Sequence, residues 1–300
     1  MRLAQRAVIL MAVAVTGPAL TDNTMSAAAA ASTAKTTAQA LTAAVKVKTN
    51  IPVGNHPVAV ATNPSTNRIY VANQADATVS VIKGQSNKVT ATVSVASGGG
   101  QPAAIATNPA TNTIYVVNFF GNTVSVLSGA TNTVVATIPV GTAPTGVATN
   151  PTTNTIYVSN RNESTLSVIN GQTNTVTATI PVGSFGAGPL AVATNPATNT
   201  IYTANSDNTV SVISGQTNTL TAIIPLDSQP AGIAANPATN TIYVTNEFFG
   251  NSVSVINGQT NTVVATVPVG TFPFGVAINA LTNTTYVANS GDSTVSVING

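Results

Sequence analysis

The strongest constraint on this chain is one stretch written six times. Its clearest copy is residues 236–270, NPATNTIYVTNEFFGNSVSVINGQTNTVVATVPVG. Tyr70, Tyr115, Tyr157, Tyr202, Tyr243 and Tyr286 mark the copies and are all the tyrosines present. Their successive spacings are 45, 42, 45, 41 and 43 residues. A period of this size requires a repeat architecture, and the first question is whether it closes on itself.

Each copy reads as four short strands. In the fifth copy these are roughly 232–235, 241–245, 252–256 and 263–269, rich in Val, Ile, Thr and Tyr and separated by Asn, Gly and Pro. Helix signals are absent. Four strands per period of this length predict an all-β fold, a β-propeller of six four-stranded blades. The strands do not alternate cleanly between apolar and polar, as expected where every sheet packs a neighbour on both faces.

The sixth copy stops at Asn299-Gly300, the end of its third strand. Residues 45–54, VKVKTNIPVG, match the fourth strand of other copies, such as 135–141, VATIPVG. The expectation is that this N-terminal strand completes the last blade and removes its open edge. The rival expectation is a seven-bladed ring whose C-terminus is truncated.

Tyr243-Val244-Thr245-Asn246 reads YVTN, and 70–73, 157–160 and 286–289 are near copies. Over about residues 45–300 the chain resembles the YVTN-family β-propeller repeat proteins, which include surface-layer proteins. The resemblance implies the propeller fold, and it implies binding or surface-layer assembly as the task.

Composition fits one closed domain. Only 5% of residues are charged and the formal net charge is +2, against about 25% charged in ordinary domains. Asn, Thr and Ser therefore keep the surface wet. Over 45–300 six basic side chains face six acidic ones, which gives no electrostatic reason to expect nucleic acid. Residues 1–25 read as a secretory signal: Arg2 and Arg6 precede the apolar run 7–15, which is too short to span a bilayer. Residues 26–44 read as an Ala/Thr/Ser-rich linker. The expected location is outside the cell or at its surface, with no membrane span after signal removal. Cysteine is absent, which excludes disulfides and thiolate metal sites.

Up-and-down strands give the ring two faces. Turns one–two and three–four lie on one face, where spacing is constant: from Pro64, Pro109, Pro151, Pro196 and Pro237 to the next Tyr is always six residues. Asn, Pro and Gly in these turns suit a purely structural role. Turns two–three and the inter-blade connections lie on the other face and carry all the length variation. All seven phenylalanines map there, as do His56, Arg161 and the acids Asp76, Glu163, Asp207, Asp227, Glu247 and Asp292. Variable loops on a rigid scaffold are where function concentrates.

The candidate contact residues are Phe119, Phe120, Phe248, Phe249, Arg161, Glu163, Phe185, Phe272 and Phe274. The two Phe-Phe-Gly-Asn stretches lie three copies apart, so a six-bladed ring sets them across the axis. Gly121 and Gly250 are expected to allow the sharp turn that presents the rings. The alternative is that these rings cap the blade core and are buried.

The candidate partner is an extracellular protein, peptide or glycan, with self-assembly as a further use. No cofactor, catalytic residue or metal site is assigned. A second reading is a secreted metal-dependent hydrolase or lyase using loop carboxylates such as Asp76, Glu163 and Asp292. The repeat tyrosines are expected to be structural, with rings between blades and hydroxyls hydrogen-bonded.

Overall fold

A computed structural model describes residues 49–95, 100–184, 186–247 and 250–300. The expected signal, the linker, residues 45–48, Phe185, Phe248 and Phe249 lie outside the described residues.

The described chain is all-β, a six-bladed propeller of antiparallel sheets, with strand order one to four in blades 1 to 5 and one to three in blade 6. The blades span 57–94, 102–139, 144–181, 189–225, 230–268 and 273–299. Blade 3 shows the plan: Pro144–Asn150, Thr155–Asn160, Thr165–Asn170 and Thr175–Pro181 pair in sequence. The first strands of successive blades lie against one another, while the fourth strands barely meet. First strands therefore line the central channel and fourth strands form the rim.

Burial explains the missing alternation. In blade 3 the four central residues of strands two and three are all buried, because both faces of the sheet are covered by neighbours. The fourth strand is largely exposed. Each interface has the same chemistry: Tyr70, Ala72, Val79 and Val81 of blade 1 meet Ile105, Ile114, Val116 and Leu127 of blade 2.

The repeated asparagines have two separate tasks. The last residue of each second strand donates through Nδ2 to two hydroxyls of the third strand. Asn160 reaches Thr165 at 3.0 Å and Ser167 at 2.9 Å. Pairing sets Asn160 directly opposite Thr165, so the motif's Asn and the third strand's hydroxyls form one unit. On the constant face, the Asn of each Asn-Pro turn joins two blades. Asn150 Oδ1 accepts from the Thr152 backbone at 3.1 Å, and its Nδ2 donates to Asn199 Oδ1 of the next blade at 2.8 Å. The acceptor, Asn199, sits at φ 51°, a left-handed position that Asn tolerates. Asn63, Asn108, Asn195 and Asn236 make the same staple to Asn112, Asn154, Asn240 and Asn283.

The sixth junction is different. Among the described residues blade 6 is a three-stranded sheet and 49–54 form no strand, while 45–48 of the expected closing strand lie outside the described residues. At internal junctions the residue after the fourth strand donates to the residue before the third, as Val140 N–H does to Asn122 C=O at 3.0 Å. Val53 makes no such bond to Ser293. Asn55 donates its backbone N–H and its Nδ2 to Asp76 of blade 1, as the equivalent residues do at internal junctions. Among the described residues blade 1 does not pack on blade 6 as neighbours do elsewhere. Asn279 is exposed and makes no inter-blade hydrogen bond to a described residue. Tyr286 is 41% exposed, against 0% for Tyr115, and Val60, Val295 and Val297 are open as well.

The tyrosine expectation holds for the rings of Tyr115 and Tyr157 and fails for their hydroxyls. Both rings are fully buried between blades, and the hydroxyls have no partner among the described residues. Burial pushes both phenols up to about 12. An apolar interface offers the ring its area and the hydroxyl nothing.

Candidate functional site

The variable face is built on one main-chain bond made in every blade. The residue after the second-strand Asn donates its N–H to the residue before the first-strand Pro. The pairs are Gln74 to His56, Phe119 to Gln101, Arg161 to Ala143, Ser206 to Gly188, Glu247 to Gln229, and Ser290 to Phe272. Two side chains per blade are thus held next to the channel mouth, and their identity changes from copy to copy. His56, Ala143 and Phe272 sit at φ 54°, 51° and 51°, so these are tight left-handed corners.

One sector of this arrangement is hollow. A cavity of about 340 Å³ is lined by Thr145, Arg161, Leu190, Gln229, Ala231, Glu247 and Phe274. Thr145, Leu190, Ala231 and Phe274 come from first strands and form its channel side. Arg161 and Glu247 stand at the same repeat position in blades 3 and 5. Blade 4, between them, contributes only Ser206 and Gly188 there. A Cβ at Gly188 would meet the Arg161 carbonyl oxygen at 2.3 Å and its Cγ at 2.6 Å. Gly188 thus lets the blade 4 backbone approach Arg161 closely. Neither charged side chain is hydrogen-bonded or ion-paired to a described residue. Gln229 Nε2 reaches the Ser206 carbonyl at 3.5 Å.

The acids proposed as metal ligands have a different task. Asp76, Glu163 and Asp292 belong to blades 1, 3 and 6, and each accepts a backbone N–H from the connection entering its own blade. The donors are Asn55 at 2.7 Å, Thr142 at 3.0 Å and Thr271 at 2.9 Å. Asp207 accepts from Ser184 at 2.9 Å in the same way. Hydrogen bonds from the Asn55 backbone and side chain hold Asp76 below the usual carboxylate range. Those from the Thr294 side chain and the Thr271 backbone do so for Asp292. At Asp207, burial pushes the carboxyl up, and bonds from Thr209 and Ser184 more than offset it. Among the described residues no group of three or more His, Asp or Glu side chains is placed to hold a metal ion.

The aromatic candidates separate. Phe120 is 65% exposed and stacks edge-on with half-buried Phe119 at 5.0 Å. Phe272 is exposed at its left-handed corner, and exposed Phe274 lines the cavity beside Arg161. Glu163, also a contact candidate, is engaged by both the backbone and the hydroxyl of Thr142. Phe185, Phe248 and Phe249 cannot be assigned places, since they lie outside the described residues. The expected role of Gly121 moves to its neighbour: Asn122 takes the left-handed conformation, at φ 52°. Its Oδ1 also accepts the Ala143 N–H at 2.9 Å, a task glycine cannot do. Sequence reasoning named Arg161 and Phe274 and missed Thr145, Leu190, Gln229 and Ala231. The available signal was positional: Gln229 precedes a first-strand Pro, and the other three lie one residue after such a Pro.

Comparison with known proteins agrees on the fold. A family described as "Lactonase, 7-bladed beta-propeller" matches residues 23–140. No curated protein matches the chain. Among solved structures, hydrazine synthase of Kuenenia stuttgartiensis is similar, with TM-score 0.56 and 18% identity. The match covers 86% of this chain and 98% of that one. At that identity the likeness concerns the β-propeller architecture alone, and the chain is a β-propeller repeat protein.

Proposed function

We propose that this chain is a non-catalytic binding propeller that works outside the cell or at its surface, recognising a protein, peptide or glycan on its variable face. The observation that carries this reading is the cavity at the channel mouth. Two opposite charges with no partner among the described residues and one amide, all on turns next to strands, converge there with an apolar wall from first strands. A concave apolar site with few placed polar groups is a binding geometry. The loop carboxylates support the same reading, since they are already engaged in holding connections to blades. Exposed Phe120 offers a further anchor for a large partner or a neighbouring copy in a surface layer.

The test is an array of peptides and glycans probed with the wild-type protein and with Arg161→Ala/Glu247→Ala. The expected result is a set of bound spots that the double variant loses while keeping its fold. An identical pattern for both proteins would contradict the assignment of this site. A lactone-hydrolysing activity is the second reading, favoured by the family match over residues 23–140. Ring opening across a lactone panel, followed with and without divalent cations, decides it. Turnover proportional to protein concentration would replace the binding reading.

A further inference from the structure

The cavity is asymmetric in charge along a defined direction. Arg161 stands on its blade 3 side and Glu247 on its blade 5 side. Leu190, Ala231 and Phe274 supply apolar surface, and Thr145 and Gln229 supply hydrogen-bonding groups. The two charges do not neutralise each other, since no ion pair joins them or links either to a described residue. A guanidinium presents a planar fork suited to a carboxylate, and a carboxylate accepts from an ammonium group. A molecule satisfying both must carry a negative end, a positive end and apolar substance between.

Size narrows the class. A cavity of about 340 Å³ is about 7 Å across if equidimensional, near the lower end of ligand sites. An extended peptide advances about 3.3–3.6 Å per residue, so two or three residues span this distance. We infer that the cavity binds a short zwitterionic peptide of two or three residues with apolar side chains. Its free C-terminal carboxylate lies on Arg161 and its free N-terminal ammonium on Glu247. The apolar side chains lie against Leu190 and Phe274, and Gln229 serves the peptide bond. This inference rests on the proposed binding role of the same cavity.

Titration calorimetry with trileucine tests the inference on the full chain. The comparison peptides are its N-acetylated, C-amidated and doubly capped forms. Trileucine is expected to bind, and each single cap to raise Kd at least about tenfold, the scale of one lost charge-assisted hydrogen bond. Arg161→Gln should weaken trileucine and remove the penalty for amidation only. Glu247→Gln should weaken it and remove the penalty for acetylation only. Leu190→Trp, checked for an unchanged β-sheet circular dichroism spectrum, should abolish binding by filling the cavity that Leu190 lines. Equal binding of all four peptides, still blocked by Leu190→Trp, would overturn the zwitterion assignment while leaving the cavity as a binding site. Binding that Leu190→Trp leaves intact would overturn the cavity as the site. No binding of any of the four peptides would overturn the peptide assignment, leaving the array experiment to judge the wider binding role.

Discussion

At the scale of single residues, this protein spends its asparagines on geometry and its tyrosines on area. The sequence shows that Tyr157 recurs mid-strand, and the structure adds that its hydroxyl is buried without a partner among the described residues. A lone buried hydroxyl costs about 1–3 kcal/mol, so removing it relieves a penalty. Tyr157→Phe is expected to leave the unfolding free energy unchanged or raise it. Tyr157→Ala should cost about 3–5 kcal/mol, as truncating a core aromatic does. Denaturant unfolding of both variants checks the pair, and a loss above about 1 kcal/mol for phenylalanine would show that the hydroxyl has a partner. The same burial fixes an alkaline limit. Tyr115 and Tyr157 are pushed up to about 12 from 10.0, so the unfolded chain releases these protons first. Their contribution is complete below pH 10 and is lost as pH rises toward 12. Melting followed by circular dichroism should show stability falling through that window, with a shallower fall in Tyr157→Phe.

At the scale of strands and turns, the constant face was legible because its spacing never varies. The Asn-Pro turns were readable as turns from Pro and Asn alone. Their second task, stapling one blade to the next, was not readable, because the partner lies 45 to 49 residues away. The carboxylates were misleading for the same reason: Glu163 and its donor Thr142 are 21 residues apart and meet only when the sheet forms. The staple yields a test with an internal control. Asn150→Ala removes a turn cap and an inter-blade hydrogen bond, leaving Asn199 Oδ1 without its donor. It is expected to cost about 1–3 kcal/mol. Asn279→Ala removes a turn cap alone, since Asn279 is exposed and makes no inter-blade hydrogen bond to a described residue, and should cost under about 1 kcal/mol. Equal losses in urea unfolding would show that the staple contributes nothing.

At the scale of the whole molecule, six near-identical copies specify how each blade meets the next but carry no information about whether the last meets the first. Blade 1 leaves Val60 open, and blade 6 leaves Tyr286, Val295 and Val297 open, faces that are covered at every internal junction. Stacked repeats draw stability from their neighbours, so the end units should open first. Hydrogen exchange is expected to be fastest in the first strand of blade 1 and in 294–299, and slowest in the second and third strands of blades 3 and 4. Uniform protection across all six blades would mean that the seam is closed in solution. The candidate site was partly legible at this scale. The variable face was identified from length variation, and Arg161 and Phe274 were on it. The cavity itself was not legible, because its lining comes from blades 3, 4, 5 and 6 and meets only in the folded protein. The two faces divide the tasks: the constant face holds blade to blade, and the variable face carries the proposed binding site. The most direct test is the melting temperature of Arg161→Ala/Gln229→Ala/Glu247→Ala measured beside Asn150→Ala. The triple variant should melt within about 2 °C of the wild type, as expected where side chains carry no structural task, and Asn150→Ala should melt clearly lower. A triple variant that falls as far as Asn150→Ala would contradict the division of tasks.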